Sequence, residues 1–340
     1  MKTFTDFPMK QYNTFGIDAI AERLCMLEER DDFRLAALSE ELGNSPFFIL
    51  GGGSNVVFPE RYRGTVLHPV NKGIELVGQR DGSYIVEAAA GEVWADFVDH
   101  CIAHGWYGVE NLAGIPGCVG AAPVQNVGAY GMEAKDVIDA VHCFEIGTGN
   151  DCWISNDDCR YAYRWSRFKG EWQGRYLIDR VRFCLNEVFA PDLSYKALSS
   201  AVEGIRELDA RRLADAVVSI RDSKLPNPKE IGSAGSFFKN PVVGGDKFQR
   251  LKERYPEMVA YPVEGGYKLA AGWLIEQSGW KGRTIGRVGV YEKQALVLVN
   301  RGGATGRDVK SLAEMIINDV EQRFGVHLEP EAIIIECLNA

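Results

Sequence analysis

An α+β fold made of more than one compact unit is what the sequence predicts. Three observations carry that expectation. The 340 residues are 46% hydrophobic and 25% charged, enough apolar material and length for two or three cored units. Short alternating or apolar runs bounded by Gly, Asn and Asp recur along the chain, as strands do. Clear helical periodicity is confined to a few stretches.

Taken in order, residues 31–42 read DDFRLAALSEEL: Asp31 or Asp32 can cap a helix whose Phe33, Leu35, Leu38 and Leu42 approximate one face, with Gly43 as its stop. FFIL follows as a strand. Gly51, Gly52 and Gly53 come straight after it, and a dinucleotide-binding βαβ unit would then need a helix. Instead SNVVF continues into a second strand, so the segment reads strand, loop, strand. Such a loop either turns a hairpin or offers uncovered backbone N–H groups to phosphate.

SYIVEAAA is a further strand, and His100 and His104 sit at the C-terminal end of a helix that stops at Gly105, where partial positive charge is favourable. From 108 to 131 the chain runs GVENLAGIPGCVGAAPVQNVGAYG, with six glycines. A loop this poor in side-chain volume is either a crossover buried between sheet layers or a backbone laid close against a flat ligand. VIDAVHCFEI, YLIDRVRFCL and ALVLVN are strands. RDSKLPNPKE at 221–230 suits a boundary between units, and Thr305 with Asp308 opens a helix whose apolar stripe ends at Gly325. The expected division is a small N-terminal unit, a larger middle one and a C-terminal one.

Composition excludes several roles. Lys+Arg number 38 against 47 Asp+Glu, a net charge of −9 and a pI near 5.3, so no general basic field exists to hold nucleic acid or an anionic membrane, and local cations must meet any anionic ligand. The N-terminus lacks the apolar core of a signal peptide and the longest apolar runs are strand-sized, so a soluble cytoplasmic protein is expected. The eight cysteines show no CxxC pair, which predicts reduced, mostly buried thiols, and no metal site is expected.

The blocks NTFGI (13–17), ILGGGSNVVF (49–58), ENLAGIPGCVGAAPVQNVGAYG (110–131), YRWSRFK (163–169), GSAGSFFKNP (232–241), KLAAGWLIEQSG (268–279), QALVLVN (294–300) and LEPE (328–331) together resemble the UDP-N-acetylenolpyruvoylglucosamine reductase family over nearly the full chain. The glycine loops alone are shared with the wider vanillyl-alcohol-oxidase/PCMH-type flavoproteins. GSAGSFFKNP with LEPE is specific to the reductases.

The resemblance implies two α+β FAD-binding subdomains, residues 1–70 joined by the C-terminal segment 326–340 and residues 71–205, plus an α+β substrate-binding domain at 206–325. LEPEAIII would return as a strand to the N-terminal sheet. It implies non-covalent FAD, since no histidine precedes GGGSN, with NADPH as co-substrate, a UDP-sugar substrate and a monomer. FAD would be held by Gly51, Gly52, Gly53, Ser54, Asn55, Ile115, Pro116, Gly117, Gly120, Ala121, Gln125, Asn126 and Gly128. Substrate would meet Tyr163, Tyr195, Arg221, Lys224, Asn240, Lys281 and Gln294, Tyr195 belonging to a tyrosine-bearing loop found in one of two subtypes. Two departures stand out: Ala121 and Ala122 occupy positions where the family often has serine, and Ile333 replaces an arginine present in some relatives.

Read alone, Arg164 is an arginine over aromatic faces, Glu331 a solvated edge carboxylate and Ser236 a turn serine. The resemblance makes Arg164 and Glu331 a pair that polarises the substrate carboxylate, and Ser236 the proton donor, with Lys224 or Lys239 in support. An alternative is a flavin oxidase of a sugar or lactone, which needs no serine proton donor; another is a non-catalytic binder of flavin or UDP-sugars.

Overall fold

The structure, a computed structural model, describes residues 1–336. Its first sheet has strands Lys2–Pro8, Ile20–Leu27, Arg61–Pro69 and Phe47–Ile49 in that spatial order, the last two pairings being parallel. The second is a five-stranded antiparallel sheet ordered Asp151–Ser155, Ile138–Glu145, Tyr176–Asn186, Ser83–Ala89, Ile74–Arg80. The third runs Gly232–Ser236, Val297–Asn300, Val288–Val290, Thr284–Ile285, and a three-stranded antiparallel sheet (Val242–Val243, Gly266–Leu269, Ala260–Val263) lies in the same part of the chain. Mixed strands and helices in separate layers are the expected α+β arrangement.

Around 31–42 the structure departs from the expected single helix. Glu29 is the cap of Arg30–Ala37, and Asp32 accepts hydrogen bonds from the Glu28 and Glu29 amides at 2.9 and 3.1 Å. Ser39 then takes an extended ψ of 118° and opens a second short helix, Glu40–Asn44. Phe33 and Leu42 are buried, whereas Leu35 and Leu38 face solvent. The helix Gly306–Phe324 does follow its signals: Thr305 and Asp308 form a capping box, Val309, Leu312, Ala313, Ile316, Val320 and Phe324 are buried, and Gly325 ends it at φ 62°. Removing that cap hydroxyl costs about 1 kcal/mol, so Thr305→Ala should lower the melting temperature by about 2 °C in a thermal-denaturation scan; no shift would mean that tertiary packing alone fixes this helix start.

The C-terminal return differs from expectation. Ile333–Ile334 pairs in parallel with Val56–Val57, next to the glycine loop, in a two-stranded ladder of its own and not in the four-stranded sheet. Phe47–Ile49, before the glycine loop, joins the four-stranded sheet, whereas Val56–Val57, after it, does not and presents an edge that the chain end pairs with.

Core packing also redraws the middle of the chain. The helix Ala210–Lys224, expected in the third unit, buries Leu213, Ala214 and Val217 in the core formed by Val86, Phe97, Val141 and Phe183. A second core joins the N-terminal sheet to the C-terminal unit, with Phe15, Leu24 and Val66 packed among Phe237, Leu274 and Val309. The seven described cysteines are free and four are buried; Cys337 lies outside the described residues. His104 ends the helix Trp94–His104, its Nδ1 2.8 Å from the His100 carbonyl. Among the described residues no helix is long and apolar enough to cross a membrane.

Candidate active site

Between the first and second sheets lies a cavity of about 630 Å³. Its polar floor is backbone: Gly51, Gly52 and Gly53 on one side, Gly117 and Gly120 on the other, with Ser54, Asn55, Ile115, Pro116, Ala121 and Gln125 completing the rim. Close approach of these loops requires glycine. A Cβ on Gly52 would stand 2.8 Å from the Gly117 Cα, and one on Gly53, held at φ 65°, would overlap the Tyr12 carbonyl. Ala121 offers neither a hydroxyl nor a free N–H, since its amide donates to the Cys118 carbonyl at 3.1 Å and that of Gly120 to the Ala90 carbonyl at 2.9 Å. Ser54 is turned away, its hydroxyl donating to the Pro116 carbonyl at 3.0 Å.

Two residues expected against the cofactor do not line this cavity. Asn126 is fully buried; its amide donates to Glu133 at 2.9 Å and to the Ala162 carbonyl at 3.1 Å, and its carbonyl accepts from the Lys135 amide. All its polar capacity is spent on holding the loop's φ 46° turn. Gly128 gives its carbonyl to Arg164 Nη2 at 2.6 Å, and a Cβ there would stand 3.1 Å from the same guanidinium. It seats the arginine.

Arg164 and Glu331 meet directly, Nε to Oε1 at 2.9 Å, with side chains 19% and 13% exposed, so neither is a solvated surface group. The arginine also lies over the Tyr163 ring at 5.3 Å, so the aromatic reading holds beside the ionic one. Burial pushes the Glu331 carboxyl above the usual carboxylate range, and Arg164, Lys169 and Lys239 only partly pull it back. A buried pair of this kind is weak evidence for stability. Asn55 links this pair to the cavity wall, its amide donating to Gln125 at 2.7 Å and to the Glu331 carbonyl at 3.2 Å.

Ser236 is not in a turn. It ends the strand Gly232–Ser236, where Ser233 opposes Val299 but Ser236 opposes Val297: three steps against two, a bulge that re-aims the serine. Phe237 and Phe238 are buried anchors, as expected. Gly232, however, accommodates the chain's own Phe15 carbonyl and not a ligand. The next segment runs beside Glu331, whose amide donates to the Phe237 carbonyl at 2.7 Å, while the Lys239 amide donates to the Glu329 carbonyl at 2.9 Å. NTFGI knits the parts together: the Thr14 amide donates to the Gly53 carbonyl at 3.0 Å and its hydroxyl to the Ser233 carbonyl at 2.6 Å. Glycine loop and serine strand are thus held through one residue.

The expected substrate residues fall into three groups. Arg221 and Tyr195 cluster with Tyr130, which was not among the expected residues: Arg221 Nε donates to the Gly114 carbonyl at 3.1 Å and the two tyrosine rings meet edge-on at 5.3 Å. Asn240 Oδ1 accepts from the Ala271 amide at 2.9 Å, and Tyr163 borders Asn240. Gln294 accepts from the Leu296 amide at 3.3 Å, and Leu296 in turn accepts from the Phe237 amide. Lys224 is exposed at a helix end and Lys281 pairs with Glu276 at 2.9 Å; neither bonds another candidate residue. Lys239 pairs with Glu329 at 3.2 Å, close to Glu331.

Lys169 was not among the expected site residues. It lines the cavity with Trp172 and Gln173, and its Nζ is buried without a hydrogen-bond partner among the described residues. The available signal was its place at the end of YRWSRFK. Ile333 also lines the cavity, so the position that bears arginine in some relatives does face it.

Comparison with known proteins agrees with this geometry. Residues 35–153 match the FAD binding domain family and residues 227–335 the C-terminal domain of UDP-N-acetylenolpyruvoylglucosamine reductase. The chain is 49% identical over 324 residues to the UDP-N-acetylenolpyruvoylglucosamine reductase of Neisseria gonorrhoeae, covering 94% of each, and 48% identical over 322 residues to that of Bdellovibrio bacteriovorus, covering 94% of this chain and 96% of the relative. The crystal structure of the Thermus caldophilus enzyme of that name aligns over 98% of both chains with a TM-score of 0.69 at 23% identity, which supports the fold.

Proposed function

The chain belongs to the UDP-N-acetylenolpyruvoylglucosamine reductase family of FAD-dependent oxidoreductases of peptidoglycan precursor synthesis, and from that premise we propose how its own residues serve the reaction. The reaction reduces the enolpyruvyl ether of UDP-N-acetylglucosamine to the lactyl ether of UDP-N-acetylmuramate. NADPH is the proposed donor. Non-covalent FAD fits the residues present: glycine backbone at Gly51–Gly53 and Gly117 suits its diphosphate, apolar walls suit its rings, and the Lys169 Nζ, without a hydrogen-bond partner among the described residues, can meet negative charge. When bound, FAD carries a hydride to the substrate.

The single observation that carries the residue assignment is the Glu331 amide bonded to Phe237, which lays the Arg164–Glu331 pair beside the bulged serine strand. Addition of hydride to the methylene carbon throws an electron pair onto the carbon next to the carboxylate. Arg164, held by Glu331 and Gly128, stabilises that charge. The Ser236 hydroxyl supplies the proton to the carbon. Of the two lysines considered, Lys239 is the one placed to support the resulting alkoxide, because it lies three residues along the same segment and next to Glu331.

Arg221 and Tyr195 are proposed on the nucleotide, Asn240, Tyr163 and Gln294 nearer the reacting end, and Lys224 and Lys281 as cations that reach the diphosphate when it is present. We place the boundary of the third unit within 221–230 and not at 206, because the helix Ala210–Lys224 packs in the core of Val86, Phe97, Val141 and Phe183 and not in the one that holds the C-terminal unit. A cytoplasmic monomer is proposed.

Glu331 gives the pH test. Its folded pKa is raised, so the stability that its protonation contributes is present at low pH and lost as pH rises through the folded value; the ionised carboxylate is held against a net cost. Protonation should unseat Arg164. NADPH oxidation dependent on the enolpyruvyl substrate should therefore fall as pH drops, with its acid limb above the ordinary carboxylate range, and Glu331→Gln should be slow at every pH and lack that limb. An unchanged limb in Glu331→Gln would remove the residue from the mechanism, and oxygen uptake on sugars with no NADPH oxidation would restore the oxidase alternative.

A further inference from the structure

The glycine floor of the cavity and the one cation left without a hydrogen-bond partner among its described residues lie in different neighbourhoods. Glycine backbone forms the phosphate-sized floor at Gly52 and Gly117. Lys169 lies on another wall, where its nearest charges are Lys239, Glu331 and Arg164, that is, the reacting end. Its Nζ is shielded from solvent and bonded to nothing among the described residues. Glu331 does not serve as its partner, since that carboxylate is taken by Arg164. A buried ammonium with two like charges nearby and no hydrogen bond is costly, and burial accordingly draws it below the usual lysine range. Such a group either sheds its proton or is held charged by negative charge that a ligand brings.

We propose that Lys169 is the counter-cation of the reduced flavin ring, and so sets the cofactor's reduction potential. The inference rests on the reading that the ring lies at the Arg164–Glu331 end of the cavity. The charge balance supports it. When a reduced nicotinamide gives a hydride, its C4–H bond breaks, the flavin N5–H bond forms, and the ring gains two electrons and one proton. One unit of negative charge is left on the ring and passes to the substrate when the hydride leaves. A cation beside the ring binds the reduced form more tightly than the oxidised form, which raises the potential. It makes uptake of hydride easier and leaves the diphosphate contacts untouched.

The test uses the purified holoenzyme and needs neither NADPH nor substrate, so failure of the serine assignment would not disturb it. Two neutral variants, Lys169→Met and Lys169→Gln, and the charged variant Lys169→Arg are compared for affinity toward oxidised FAD and for midpoint potential by dye equilibration. The neutral variants should bind oxidised FAD within about threefold of the parent but hold reduced FAD about tenfold less tightly, which corresponds to a midpoint about 30 mV lower for a two-electron couple. Lys169→Arg should recover most of the difference. An unchanged potential in both neutral variants overturns the proposal; if oxidised FAD is then bound far more weakly, the partner is the diphosphate. A lowered potential that Lys169→Arg fails to restore also overturns it, since shape and not charge would then be responsible.

Discussion

Ser236→Ala should separate the two halves of the catalytic cycle: NADPH will still bleach the flavin at close to the parent rate, while reoxidation by the enolpyruvyl substrate will slow by about 10²–10⁴-fold, the range lost with a positioned proton donor. The two halves differ because hydride uptake from a nicotinamide calls for no protein proton, whereas the carbanion next to the carboxylate must be quenched. The serine's surroundings make the test clean. It sits at a strand end beside a bulge, its two neighbours Phe237 and Phe238 carry the core packing, and its loss opens no apolar cavity. Stopped-flow single turnovers in each direction measure both rates. Equal slowing of both would mean that the serine organises the strand and does not deliver the proton; no slowing of reoxidation would send the search to water or to Lys239.

Much of this site is legible from sequence wherever the signal is local. The Thr305–Asp308 box, the αL glycine at 325 and the strand–loop–strand around GGGSN depend on neighbours in the chain, and each forms as read. What is not legible depends on distant partners. The apolar stripe of Ala210–Lys224 states that one face is buried but not against which core, and it chooses that of the five-stranded sheet. Asn126 looks like any amide in a ligand loop until Glu133, Lys135 and Ala162 are seen to use all of it. Lys169 was missed for the same reason, because a lysine tip is buried only by the assembled cavity wall. Ser236 read as a turn residue because its glycines were local evidence and the bulge against Val297–Asn300 was not. The glycines proved half informative: Gly52 does bring two backbones together, whereas Gly232 approaches only Phe15.

The Gly52–Gly117 contact yields the second large effect. Gly52→Ala should produce a folded protein that purifies with little colour and binds FAD about 10–100-fold more weakly, the consequence of ~1–3 kcal/mol of steric strain in a closely packed site. Its Cβ would face the Gly117 Cα at 2.8 Å and the Gly117 carbonyl carbon at 3.1 Å, both backbone atoms, so no side chain can swing aside. One of the two loops must withdraw. Withdrawal of the first loop is resisted by Thr14, which ties the neighbouring Gly53 to the serine strand, and by Val56–Val57 in its ladder with Ile333–Ile334. The second loop is held by Trp94, whose amide donates to the Gly117 carbonyl at 3.1 Å. Strain will therefore appear where the structure is least supported without ligand, in the loop N–H groups proposed to meet the diphosphate, and less in global stability. Equilibrium titration of apoprotein with FAD, set beside FMN, distinguishes the causes. FMN lacks the diphosphate, so its binding should suffer less than that of FAD; an equal loss for both would place the damage at the ring end, and unimpaired FAD binding would show that the two loops do not form the diphosphate floor.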